Sequence, residues 1–314
     1  NQEGLKPYLS GKSRNTQDSL LWEAAENAYL KGNCDKAIAQ LAGYLNEFPD
    51  GMFSLQALGY KGKCELSNKN TDQAAATYRI IVSRPRNKFT AEGLQMLGIY
   101  ERQKENYQAA LEHFKTLELI AENNDQTMFA QSNIMRIQDK LGNRSEAFDY
   151  AKKIIAKEKS GTELKNEASL IIARKWFDDG DYAKAAEEFQ KLKKINSAIG
   201  AEARYALAYI QYQKGDYQKC EKAIFELIDE MPSYDIWLTK GFILLADNYL
   251  KQGNTFQAKR TLQSVIDNHE EDALSEQARR KLDAIIQQEN NAQQQGAPIQ
   301  KPEDENFDDT PKGE

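Results

Sequence analysis

The chain has 314 residues, 40% of them hydrophobic, 42 Lys and Arg against 48 Asp and Glu, two His and three Cys. Its formal charge of −6 is mild, and four of those charges come from residues 290–314 (Glu303, Asp304, Glu305, Asp308, Asp309 and Glu314 against Lys301 and Lys312). The body is therefore almost neutral, which argues against a polyphosphate partner held by a basic stripe. No run of about 18 apolar residues exists to span a bilayer.

One phrase recurs along the chain. Gln211–Cys220 reads as a helix end, a Lys-Gly-Asp-Tyr turn and a second helix start, and similar turns fall near Gly32, Asn106, Gly142, Gly180 and Gly253. A small residue opens each second helix: Ala37, Ala74, Ala110, Ala147, Ala185, Cys220 and Ala258, at spacings of 37, 36, 37, 38, 35 and 38. A period near 37 with helix–turn–helix content predicts stacked helical hairpins.

Taken in order, residues 1–17 are polar and predict a linker or the remnant of an upstream repeat, followed by a helical array over 18–289. Asn15, Thr16, Asp18 and Ser19 are residue types that cap a helix start; Asp18-Ser19-Leu20 also matches a bacterial O-glycosylation acceptor. Each second helix then carries an apolar triplet: Ala37/Leu41/Tyr44, Ala74/Tyr78/Ile81, Ala110/Phe114/Leu117, Ala147/Ala151/Ile154, Ala185/Phe189/Leu192, Cys220/Ile224/Leu227 and Ala258/Leu262/Val265. Such i, i+4, i+7 spacing buries one helix face. Pro49, Pro85 and Pro232 end their repeats. The second turn, Asn68-Lys69-Asn70-Thr71, lacks glycine. A last amphipathic helix near 273–288 suits a cap on the array, and residues 290–314 are too polar to bury a core, which predicts disorder.

These residues resemble the tetratricopeptide repeat (TPR) family, whose first helix carries a Leu followed by Gly or Ala and then an aromatic. Its second helix carries small, large and small apolar positions, and Pro closes the repeat. Leu207-Ala208 with Cys220, Ile224, Leu227 and Pro232, and Leu245-Ala246-Tyr249 with Ala258, Leu262 and Val265, fit in order. The resemblance spans about residues 19–288 and implies an all-α, right-handed α-solenoid of about seven hairpins with a C-terminal capping helix. The Phe48-Pro49-Asp50-Gly51 phrase is similar to envelope TPR proteins of Gram-negative bacteria. The opening Asp18–Tyr29 stretch resembles the C-terminal region of large Bacteroidetes multi-TPR proteins. That implies a periplasmic or outer-membrane setting, with the cytoplasm as the alternative.

Chemistry is not written in the sequence. His113 and His269 lack carboxylate or cysteine neighbours at metal-ligand spacing, and no phosphate-loop, dinucleotide or nucleophile-elbow motif occurs. Paired acids such as Asp178-Asp179 and Glu187-Glu188 do not face one another on a helix. The expectation is a non-enzymatic protein with no cofactor or metal. The three cysteines read as small buried hydrophobes, with a Cys34–Cys64 bridge between neighbouring repeats as the alternative.

The resemblance implies a binding groove along the first helices. Relative to the small residue after Leu, groove positions fall three before, one after and four after. They are Leu170, Arg174 and Phe177 in repeat five, Tyr205, Tyr209 and Tyr212 in repeat six, and Asp247 with Ile243 and Leu250 in repeat seven. Repeat four contributes Arg136 with Ser132, and repeat one contributes Trp22, Glu26 and Tyr29. Aromatics and arginines dominate interface energies, so a peptide or helix of a protein partner is the expected ligand. The Lys and Asn pattern of carboxylate-clamping TPRs is missing at Ser132/Arg136 and Leu170/Arg174. Two other readings stand beside this one: an architectural C-terminal module packing against further repeats of a longer chain, and an RNA-binding helical repeat, which the near-neutral charge disfavours.

Overall fold

A computed structural model describes residues 13–268 and 273–294, the side chains of 292–294 excepted. His269, residues 1–12 of the linker expected over 1–17 and residues 295–314 of the disorder expected over 290–314 lie outside the described residues. Among the described residues there are fifteen helices and no strand. They pair in sequence as seven hairpins: α1 (Arg14–Leu30) with α2 (Cys34–Glu47), α3 (Ser54–Ser67) with α4 (Thr71–Ser83), α5 (Thr90–Gln103) with α6 (Tyr107–Ile120), and α7 (Asn124–Lys140) with α8 (Arg144–Ile155). These are followed by α9 (Thr162–Asp178) with α10 (Tyr182–Leu192), α11 (Ala198–Gln213) with α12 (Tyr217–Glu230), and α13 (Asp235–Lys251) with α14 (Thr255–Asn268). A final helix, α15 (Ala273–Gln294), packs on the last hairpin. The chain divides into two compact units, one reaching to Leu164 and the other starting at Lys165. Each unit is a stack of hairpins with its interior between successive helices, so the fold is an all-α solenoid.

The hairpins are made by one repeated joint. In hairpin six, Gly215 takes φ of 77° and its N–H donates to the Tyr212 carbonyl at 3.0 Å, while the Asp216 N–H donates to the Gln211 carbonyl at 3.0 Å. This is a Schellman stop, which satisfies carbonyls that the helix end would otherwise orphan. Asp216 then turns round as the cap of α12, its carboxylate accepting from the Lys219 N–H at 3.2 Å. Asn33, Asn70, Asn106, Asn143, Asp181 and Asn254 hold the same place, each donating its N–H five residues back at 2.8 to 3.1 Å. Asn33, Asp181 and Asn254 also cap the next helix through the side chain. Five joints use glycine at the left-handed position; the other two place Lys69 (φ 63°) and Glu105 (φ 60°) there. The glycine-free second turn therefore has the same geometry as the others and carries the strain of a Cβ in that region.

Every residue of the seven apolar triplets is at most 2% exposed. Where the first-helix partner position is glycine, contact is closer still: a Cβ on Gly98 would sit 2.5 Å from the Phe114 ring.

Three expectations change. First, α1 begins at Arg14, capped by Ser13, whose hydroxyl accepts from the Thr16 N–H. Asn15, Thr16, Asp18 and Ser19 therefore lie inside the helix rather than at its cap, and Asp18 has a different task. Its carboxylate accepts from the Tyr44 hydroxyl at 2.6 Å and from the Met52 N–H at 3.0 Å. The Phe53 N–H donates to the same Tyr44 oxygen. Gly51 closes this corner, since a Cβ there would stand 2.6 Å from the Tyr44 oxygen. Second, the helical array extends past both expected ends, to Arg14 and Gln294.

Third, Cys34 and Cys64 are disulfide-bonded, with Cα atoms 4.9 Å apart, whereas Cys220 stays a buried thiol. The small-hydrophobe reading holds only for Cys220. Cys34 is the first residue of α2 and Cys64 lies in the last turn of α3, so both sit on the joint edge of adjacent antiparallel helices. The same two register positions meet in the second unit, where the Asn248 side-chain amide donates to the Tyr217 carbonyl at 3.0 Å.

The joint makes a direct prediction. Gly215→Ala meets no atom within 4 Å, so its cost is the backbone term alone, about 1 kcal/mol. Lys69→Gly should raise stability by a comparable or smaller amount, to about 1 kcal/mol. Urea melts of the two variants should move in opposite directions; movement in the same direction would remove the joint from the account.

Candidate interaction surface

The expected groove positions do not behave alike. The first of the three, three residues before the small residue, is buried in four hairpins: Trp22, Ser132, Leu170 and Ile243 are all under 9% exposed. Leu170 packs into a core with Ala173 and Phe189 of its own hairpin and Ala206 of the next first helix. Trp22 stacks on Phe53 and Tyr60, with ring centroids 5.1 and 5.6 Å away. Leu170 is thus interior, a correction to its expected place in the groove.

Arg174 is also committed within its unit. Its guanidinium forks onto the Glu202 carboxylate, Nε to Oε1 at 2.5 Å and Nη2 to Oε2 at 2.6 Å, and ties α9 to α11. Asp247 is engaged by Lys281 of α15, whose ammonium donates to both carboxylate oxygens at 2.7 and 3.0 Å. Arg136 is exposed on α7 of the other unit.

Phe177, Tyr205, Tyr209 and Tyr212 do come together. Each is half-buried, and their rings form a continuous row across two successive first helices, α9 and α11. Phe177 of α9 lies 5.2 Å from Tyr209 of α11. Tyr209 lies 6.5 Å from Tyr205 and 6.2 Å from Tyr212. Tyr205 continues the row to Trp237 of α13 at 5.6 Å, and Tyr212 to Tyr217 at 5.9 Å. The rings are tilted at 38 to 56°, the offset packing that their quadrupoles favour. Sequence reading missed Trp237 and Tyr217, because both lie outside the assumed three-position pattern. Trp237 is in the first turn of α13 and Tyr217 opens a second helix.

Burial raises two of the phenols in this row. Burial first, then the neighbouring Tyr209 and Asp247, push the Tyr205 phenol up to about 12. Burial and the Asp247 charge raise Tyr212 as well. The surface therefore offers aromatic faces and neutral hydroxyls, edged by the Arg174–Glu202 and Asp247–Lys281 pairs. Among the described residues, no group of three or more His, Cys, Asp or Glu is placed to hold a metal ion. His113 is half-buried, and that burial lowers its imidazole from the ordinary value.

The tetratricopeptide repeat family profile matches residues 242–272, which is the second part of α13 with α14 and the segment after it. No curated protein sequence matches the chain. The C-terminal part of a TPR repeat-containing protein from Cytophaga hutchinsonii superposes with a TM-score of 0.55 at 15% identity, over 81% of this chain and 97% of that one. A tetratricopeptide repeat protein from Parabacteroides merdae aligns with a TM-score of 0.45 at 14% identity, over 86% and 99% of the two chains.

The helices, their sequential pairing and the repeated joint thus define a helical-repeat protein. The seventh hairpin matches by sequence, and the other six share its joint and its buried triplet. Residues 242–272 match the tetratricopeptide repeat family, and the chain shares the fold of helical-repeat proteins.

The two kinds of position separate experimentally. Arg174→Ala leaves the largely buried Glu202 carboxylate unpaired and should lower stability by about 2–3 kcal/mol. Tyr209→Ala trims a half-exposed ring and should cost clearly less. Urea melts of both variants check the order; a Tyr209 loss equal to that of Arg174 would make Tyr209 a core residue.

Proposed function

We propose that this chain is a non-enzymatic protein–protein interaction scaffold, and that its second unit binds a peptide or helix of a partner along the first-helix face. The observation that carries this reading is the aromatic row Phe177–Tyr209–Tyr205–Trp237 with Tyr212. Rigid amphipathic rings supply contact area at low entropic cost, and their hydroxyls remain as hydrogen-bond donors. Arg174 and Asp247 serve as flanking charges rather than as the anchors.

The setting we propose is a bacterial envelope complex, in the periplasm or at the outer membrane. The Cys34–Cys64 bridge supports an oxidising compartment, because such bonds do not persist where thiols are kept reduced. It closes a separation of 30 residues, worth about 3–4 kcal/mol in the chain-entropy treatment. Among the described residues no helix is long and apolar enough to cross a membrane.

The test places a photo-crosslinking residue at Tyr209 in living cells, with Gln218 on α12 as the control. One dominant protein trapped at Tyr209 and not at Gln218 is the expected result; equal capture at both would overturn the assignment of the face. Blocking thiols before lysis tests the compartment. Cys34 and Cys64 should become modifiable only after reduction, and labelling without reductant would place the chain in a reducing compartment.

A further inference from the structure

A second surface of the same unit has a different chemistry. Between α10 and α12, on the Arg204–Leu207–Gln211 face of α11, lies a cleft of about 300 Å³. That face is distinct from the one bearing Tyr205, Tyr209 and Tyr212. Lys193, Arg204, Lys219 and Lys222 line it against one acid, Glu226, and Leu207 and Ala223 give it an apolar floor. The Arg204 side chain is only 11% exposed and is held through Nη2 by Glu230. Its Nε is buried with no hydrogen-bond partner among the described residues. Lys219 is paired with Asp216 at the α12 cap, and Lys222 reaches Glu226 only at 4.0 Å. In a chain of net negative charge, this cleft gathers four cations, one of them nearly buried and incompletely satisfied. Such a site favours carboxylates, and the apolar floor favours an apolar side chain between them.

The chain itself carries such a segment. Residues 303–309 read Glu-Asp-Glu-Asn-Phe-Asp-Asp, five acids around one aromatic. We infer that the cleft between α10 and α12 is the docking site of this acidic segment, Glu303–Asp309 of the same molecule. The carboxylates meet Lys193, Lys219 and Lys222, and Phe307 covers Leu207 and Ala223.

Reach supports the same-chain occupant. Lys259, in the first turns of α14, pairs with Glu289 at 2.7 Å and so brings the late part of α15 to the joint edge of hairpin seven. The Asn248–Tyr217 bond puts the start of α12, and hence Lys219, on that same edge. One hairpin intervenes, roughly 20 Å at helix spacings of 8–10 Å. The nine residues from Gln294 to Glu303 span about 30 Å when extended. A tethered segment is present at an effective concentration on the order of millimolar, which a dissolved peptide of equal affinity seldom matches.

Zero-length carbodiimide crosslinking of the full chain tests this, since it joins lysines to carboxylates already in contact. Links within one molecule from Lys193, Lys219 and Lys222 to Glu303–Asp309 should exceed those from Lys36 and Lys115 about tenfold, and should fall at ~1 M salt, where screening acts over about 3 Å. Phe307→Ser should reduce them without moving the thermal midpoint. Links spread evenly over the lysines would overturn the inference, as would links found only between two molecules. So would a Phe307→Ser variant that crosslinks as the parent does.

Discussion

One residue per hairpin, an Asn or Asp, ends one helix with its backbone and starts the next with its side chain or its carbonyl. Its N–H closes the six-residue Schellman loop, and the residue before it must sit at positive φ. The connection is then so short that the two helices have little choice of crossing. That fixed crossing brings the small position of the second helix against the first, and Ala or Cys is what fits there. The larger residues four and seven positions on are carried into the interior by the same register. Apolar burial provides the bulk of the stability, and the joint decides which residues are buried.

Because the joint repeats, so do the places where neighbouring hairpins meet. In each unit, one second helix brings its first residue to the last turn of the next first helix. In one place chemistry fills that approach with a disulfide, and in another with an amide-to-carbonyl bond. The same regularity lines up the outward positions of successive first helices, which is how Phe177, Tyr209, Tyr205 and Trp237 become one row although they are spread over 61 residues of sequence. The tetratricopeptide fold places the row, but the fold alone does not choose its residues. That choice of four aromatics is what makes a binding role worth proposing for this face.

The interior was largely legible before any coordinates. Period and apolar spacing alone picked out all seven triplets, since a 3.6-residue helix leaves few options for residues four and seven apart. The groove was legible only in part. Leu170, Trp22 and Ile243 look like surface on a single hairpin and become interior once the next first helix is laid alongside, a packing that one repeat's pattern does not contain. The ion pairs of Arg174 and Asp247 were not legible for a related reason: their partners, Glu202 and Lys281, lie 28 and 34 residues away on the next helix but one. Asp18 looked like a cap because it has a capping side chain, but Ser13 starts the helix earlier and leaves Asp18 to Tyr44 and Met52. The disulfide was open to inference from the register, because Cys34 and Cys64 occupy the same two positions as Tyr217 and Asn248, which meet in the second unit.

The central claim is that seven equivalent joints set the architecture. Hydrogen exchange of the native chain, read residue by residue, measures it most directly. The amides of Asn33, Asn70, Asn106, Asn143, Asp181, Asp216 and Asn254 should be protected to a degree comparable with the helix interiors on either side, although they sit in surface turns. Exchange of these amides at the rate of an unstructured chain, with the flanking helices still protected, would mean that the hairpins are held by their interiors alone and that the joint is a consequence of the fold.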